Sequence, residues 1–313
     1  MTRALIFPGQ GSQSVGMGRD LATRFAAARE VFAEIDDALG QKLSQIIFEG
    51  PESELTLTEN AQPALMAVSL AVLRVLEREG GFDLQRGCAF VAGHSLGEYS
   101  ALAAARAFTI ADAARLLKKR GQAMQRAVPV GAGAMAALLG LELDAAREIA
   151  AAAAQGQVCS AANDNASGQV VVSGDKAAVD RAVALAGERG ARRSILLPVS
   201  APFHCALMAP AAAVMQEALA ATAIAPPLVP LIANVSAAPV SDPAAIRARL
   251  VEQVTGLVRW RESVLAMKGL GVDSLVELGA GKVLAGLTKR IDREMSAISI
   301  QGPADIDAFL KTL

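Results

Sequence analysis

Short continuous apolar runs alternate along the chain with longer segments in which apolar residues recur every three or four positions. Residues 3–7 read as a buried strand, stopped by Pro8-Gly9. Helical patterning fills residues 19–80. Within it, 63–78 sets Leu65, Val68, Leu70, Val72, Val75 and Leu76 at helical spacing, and Gly80-Gly81 closes the segment. Residues 88–92 form a second buried strand that runs straight into Gly93-His94-Ser95-Leu96-Gly97, with helices expected over about 97–106 and 110–127.

The texture then changes. The pattern predicts strand 134–140, helix 144–155, strands 158–163 and 168–173, helix 175–188 and strand 192–197. That βαββαβ order is the ferredoxin-like signature of a compact inserted unit. After Pro198 alternation resumes, with buried strands at 228–235 and 272–278 and a helix at 282–293. The expectation is an α/β fold: residues 1–130 and 199–313 form one parallel sheet covered by helices, and 131–198 form a small inserted subdomain.

Composition narrows the function classes. The 313 residues suit two domains or one core with an insertion, and 53% hydrophobic content excludes a disordered chain. Lys and Arg (30) balance Asp and Glu (31), and aromatics are 4%, so neither the basic field nor the stacking surface of a nucleic-acid binder is present. Cys88, Cys159 and Cys205 are widely spaced, with no CxxC pair, and the only histidines are His94 and His204. No metal site or disulfide framework is expected, and a reducing cytoplasm fits. The apolar run near the start is too short for a signal peptide. The long charge-free stretches, 194–216 and 218–241, are interrupted by proline, so no membrane span is expected.

Gly93-His94-Ser95-Leu96-Gly97 is a G-x-S-x-G sequence between an apolar strand and a helix-forming run. That context favours an exposed nucleophilic serine over an ordinary turn serine or helix cap. A hydroxyl needs a base. His94 adjoins Ser95, and neighbouring side chains on a tight turn diverge. His204 follows a predicted strand and is the better base by elimination, although a core histidine would look the same. The loop Phe7-Pro8-Gly9-Gln10-Gly11-Ser12-Gln13 matches neither a dinucleotide fingerprint nor a P-loop. It can supply an oxyanion donor or be only a structural turn. Lys118-Lys119-Arg120 and Lys289-Arg290 read by spacing as solvated helix faces.

At these residues the chain resembles malonyl-CoA:acyl carrier protein transacylases. The resemblance runs from the Gln10 loop through Gln62-Pro63-Ala64, the segment 93–100, Arg120-Gly121, Gly133-Ala134-Met135, His204 and Asn234 to Gly279 and Gly281-Lys282-Val283-Leu284. It implies a hydrolase-like parallel-sheet core with the ferredoxin-like subdomain already read. It implies Ser95 as nucleophile, His204 as base, and a backbone carbonyl near Gln253 as the group that orients the imidazole. The N–H groups of Gln10 and Leu96 would form the oxyanion hole, with Asn234 and Gln253 in support. Arg120 would grip the malonyl carboxylate, against the reading from spacing. Phe203 would crowd a substituent on the malonyl C2. The implied reaction moves malonyl from malonyl-CoA to the phosphopantetheine thiol of acyl carrier protein, supplying fatty acid biosynthesis, without metal or bound cofactor.

The expected protein is a cytoplasmic monomer. Acyl carrier proteins are acidic, so a docking patch at Lys282, Lys289 and Arg290, with Lys118 or Lys119, is expected. The rivals are a serine thioesterase or esterase, a malonyl-loading subunit of another multienzyme, and a catalytically silent carrier-docking scaffold. A hydrolase would use an acidic third residue, and Asp144, Asp164, Asp175 and Asp180 lie between Ser95 and His204.

Overall fold

The computed structural model describes residues 2–312. Its strands, in chain order, are β1 Arg3–Phe7, β2 Phe90–Gly93, β3 Gly133–Leu139, β4 Cys159–Ala166, β5 Gln169–Asp175, β6 Arg193–Leu196, β7 Leu231–Ala233, β8 Ala238–Val240, β9 Ser274–Leu278 and β10 Ser296–Ile300. They form two sheets, β10-β9-β1-β2-β7-β8 and β4-β5-β3-β6.

The first sheet explains why its strands read as unbroken apolar runs. Ala4, Leu5, Ile6 and Phe7 of β1 are fully buried. Leu5 and Phe7 join the core beneath the helix Thr58–Gly80, while Ala4 and Ile6 join Trp260, Val264 and Leu284 on the opposite face. Each such large side chain contributes about 1.5–3 kcal/mol on burial. β1 pairs in parallel with β2 and β9, and β2 with β7. The parallel strands therefore finish on one edge, where Phe7, Gly93 and Ala233 hand the chain to Gln10, Ser95 and Asn234.

The second sheet is antiparallel. Its strands occur in the order β3, helix Leu143–Ala154, β4, β5, helix Lys176–Glu188, β6. This is the βαββαβ arrangement read from the sequence, inside an α/β fold whose main sheet is parallel except at one edge. β4 also meets the larger body through a bridge between Asn163 and Val258.

Several elements differ from the sequence reading. β8 is an antiparallel edge strand, so the main sheet is not wholly parallel. β8 and β10 are absent from the pattern because edge strands are half solvated and carry no continuous apolar run. The strand expected over 228–235 shrinks to Leu231–Ala233, since Pro226, Pro227 and Pro230 lack ladder donors. The helix expected from residue 63 begins at Thr58. Its first turns hold buried polar residues, Thr58, Asn60 and Gln62, which apolar spacing cannot register.

Candidate active site

Ser95 stands on a sharp turn between β2 and the helix Gly97–Ala104, with φ of 52°. A non-glycine residue in that left-handed region costs about 1–3 kcal/mol and persists only where its surroundings hold it. Two glycines make the turn possible. A β-carbon at Gly93 would lie 1.9 Å from the Gly97 carbonyl carbon, and one at Gly97 would lie 2.3 Å from the Phe7 oxygen. Asn234, at the end of β7, holds the turn from the other side. Its Oδ1 accepts the Ser95 N–H at 2.8 Å, and its Nδ2 donates to the Gly93 carbonyl at 2.7 Å.

His204 is buried and also has positive φ, 59°. Its Nε2 lies 2.8 Å from Ser95 Oγ, and its Nδ1 lies 2.9 Å from the Gln253 carbonyl oxygen. A carbonyl only accepts, so Nδ1 carries the proton and Nε2 is free to take one from Ser95. Gln253 ends the helix Pro243–Gln253, whose last carbonyls lack intrahelical donors and carry its negative dipole end. Burial, then the nearby Arg120 charge, lowers the His204 pKa to about 3, so the imidazole is neutral near pH 7. None of the four aspartates serves it. Asp144 pairs with Arg147, Asp164 with Arg261 and Asp180 with Lys176, while Asp175 accepts the Val158 N–H.

His94 points elsewhere, as neighbours on a tight turn should. Its Nε2 lies 2.8 Å from Asn165 Oδ1, and its ring centroid is 5.8 Å from that of Trp260.

Arg120 overturns the reading from spacing. It lies on the buried face of the helix Ile110–Ala127 with Leu117 and Met124, and is 1% exposed. Its Nη1 donates to Gln62 Oε1 at 2.8 Å, and its Nη2 to Gln253 Oε1 at 2.7 Å and Ser95 Oγ at 3.1 Å. The Tyr99 ring lies 5.8 Å away. Burial lowers its pKa, offset in part by Tyr99 and Glu98. Every direct hydrogen-bond acceptor is neutral, so the fork remains a strong site for an added anion.

Polar groups extend this network. Gln62 Nε2 donates to Thr58 Oγ1, which donates to Gln10 Oε1. The N–H groups of Gln10 and Leu96 donate to no acceptor among the described residues. Their loops are held together by the Gly97–Phe7 approach, and both residues line the cleft. The cleft encloses about 620 Å³ and is lined by Ser95, Arg120 and His204 on its polar side and by Met135, Leu197 and Phe203 among its apolar residues. Such a site suits polarisation of a carbonyl beside a second, anionic group.

Thr58, Gln62 and Glu98 gained no role from sequence reasoning. The available signal was polar residues inside otherwise apolar helices, most plainly Glu98 in Glu98-Tyr99-Ser100-Ala101-Leu102. The basic patch also changes. Lys118 bonds Asn60 and pairs with Glu59, and Arg290 donates to Gln169. Lys119, Lys282 and Lys289 are exposed and form no ion pair among the described residues.

The acyl transferase domain family model matches residues 4–300. A malonyl CoA-acyl carrier protein transacylase of Bacillus subtilis is 45% identical over 311 residues, 99% of this chain and 96% of that protein. The crystal structure of an acyl-carrier-protein S-malonyltransferase from Bartonella henselae superposes with a TM-score of 0.97 at 55% identity, covering 100% of this chain and 99% of the other. A malonyl-transacylase solved in complex with its type II PKS acyl-carrier protein gives a TM-score of 0.96 at 42% identity, covering 100% of both chains.

Proposed function

The chain belongs to the acyl transferase family, among its malonyl-CoA–acyl carrier protein transacylases, and from that premise we propose a ping-pong transfer of malonyl from malonyl-CoA to acyl carrier protein. It is an acyltransferase. The observation that carries the malonyl reading is the buried guanidinium of Arg120 in contact with Ser95 Oγ.

Ser95 Oγ attacks the thioester carbonyl carbon while His204 Nε2 takes its proton. Electrons from the carbonyl π bond move to oxygen, where the Gln10 and Leu96 N–H groups stabilise the charge. The Gln253 carbonyl holds the imidazolium through Nδ1–H. Collapse breaks the C–S bond, and coenzyme A leaves with the proton from His204, giving malonyl-Ser95. The phosphopantetheine thiol then gives its proton to His204, attacks the ester, and Ser95 Oγ leaves with that proton. No metal or bound cofactor enters these steps.

Arg120 binds the free malonyl carboxylate, Phe203 limits bulk at C2, and Asn234 keeps the turn in register. Lys282 and Lys289 are the carrier contacts in this reading. A β-carbon at Gly281 would lie 3.3 Å from Ser12 Cβ, so the start of the helix Val283–Ile291 sits beside the loop that borders the cleft. One chain holds every group the chemistry uses, so the enzyme is proposed to act as a monomer. Its free thiols fit a cytoplasmic setting. Supply of malonyl carrier to fatty acid synthesis is the matching role.

Intact-protein mass spectrometry tests this. Malonyl-CoA should add one malonyl group to the wild type and none to Ser95→Ala, and added carrier protein should remove it by acquiring it. An adduct lost to water at the same rate with or without carrier would make the protein a hydrolase.

A further inference from the structure

Glu98 is fully buried in the first turn of the helix Gly97–Ala104 and does not line the cleft. Its Oε2 accepts the Gln253 Nε2–H at 2.5 Å, and its Oε1 faces the Asn234 N–H at 3.4 Å. Gln253 is the residue on which the site converges. Its carbonyl oxygen meets His204 Nδ1, its side-chain Oε1 meets Arg120 Nη2, and its Nε2 also donates to the Ser95 carbonyl at 2.9 Å.

The two ends of a glutamine amide have nearly the same shape and opposite hydrogen-bonding character. Turned over, Gln253 would present NH₂ to a guanidinium, and donor would face donor. A carboxylate beside it accepts only, so the NH₂ end must face Glu98 and the oxygen must face Arg120. We propose that Glu98 is a positioning residue for acyl transfer, fixing the orientation of Gln253 and through it the guanidinium and the imidazole. The inference rests on the malonyl-transfer reading above.

The test compares Glu98→Leu, which keeps bulk and removes the acceptor, with Glu98→Gln, which keeps an acceptor oxygen. The readouts are the rate of malonyl-Ser95 formation by rapid quench and the malonyl-over-acetyl preference in competition. Glu98→Leu should lose about tenfold or more in both, the scale of one hydrogen bond to a charged group, while Glu98→Gln stays within about threefold of wild type. A folded Glu98→Leu protein with wild-type rate and preference overturns the proposal. So does a Glu98→Gln protein that loses as much as Glu98→Leu, because charge rather than orientation would then be at work.

Should Glu98→Leu not fold, the Gln253 side-chain amide is read by NMR in the wild type. Slow exchange of its Nε2 protons with solvent is expected, and exchange at the rate of an exposed glutamine amide overturns the idea. A wild type that forms no malonyl adduct refutes instead the reading on which the inference rests.

Discussion

His204 Nδ1 lies 2.9 Å from the backbone carbonyl oxygen of Gln253, so a helix C-terminus rather than a carboxylate orients the imidazole. A carbonyl fixes the tautomer without adding a full negative charge, and burial then holds the His204 pKa near 3.

This arrangement predicts an unusual pH profile. The base must be neutral, and with a pKa of about 3 it stays neutral throughout the range from pH 5 to 8. The charged and titratable groups around it are Arg120, His94 and, across Gln253, Glu98. Burial raises Glu98 to about 7, against hydrogen bonds from Gln253 and Asn234 and the Arg120 charge. A protonated Glu98 still offers Gln253 an acceptor oxygen, as Glu98→Gln does, so kcat/KM for malonyl-CoA should run flat across pH 7 in the wild type and in Glu98→Gln. A limb near pH 6.5 that persists in that variant would assign His204 an ordinary pKa.

Arg120→Ala should reduce malonyl loading by roughly two to four orders of magnitude, because removing one partner of a buried ion pair costs about 3–5 kcal/mol. Acetyl loading should fall far less, narrowing the preference between the two. Competition between malonyl-CoA and acetyl-CoA measures both. An unchanged preference would mean that another group reads the carboxylate.

Gly97→Ala and Gly286→Ala should act in opposite directions. The first puts a β-carbon 2.3 Å from the Phe7 oxygen, forcing apart the loops that bear Gln10 and Leu96. Overpacking of this kind costs about 1–3 kcal/mol or more, and loading should fall with stability. At Gly286, in the helix Val283–Ile291, a β-carbon meets nothing within 4 Å among the described residues, so the change should stabilise by about 0.5–1 kcal/mol with loading unchanged. Thermal unfolding and adduct formation, measured on both variants, decide this.

Lys282→Glu with Lys289→Glu should raise the KM for carrier protein by about tenfold, more at low salt, and leave loading from malonyl-CoA unchanged. Equal loss in the two half-reactions would remove these lysines from the carrier surface.

The fold was legible where burial leaves a one-dimensional trace. β1 and β2 are covered on both faces and read as unbroken apolar runs, and the βαββαβ insertion changes period at each element. The Ser95 turn was legible because so sharp a strand-to-helix turn needs glycines at fixed offsets. The sequence by itself therefore determined the two sheets, the turn and, with only two histidines, the short list of bases. Arg120 reads by spacing as one more cation in a basic run, and only the approach of its helix to Thr58–Gly80 places it against Gln62 and Ser95. The role of Gln253 lies in a backbone carbonyl, a group every residue carries and no residue type advertises. Glu98 reaches it only because one helix starts, and another remote in sequence ends, at the same edge of one sheet. Local periodicity records which face of an element is buried; the tertiary structure alone decides which buried polar groups meet.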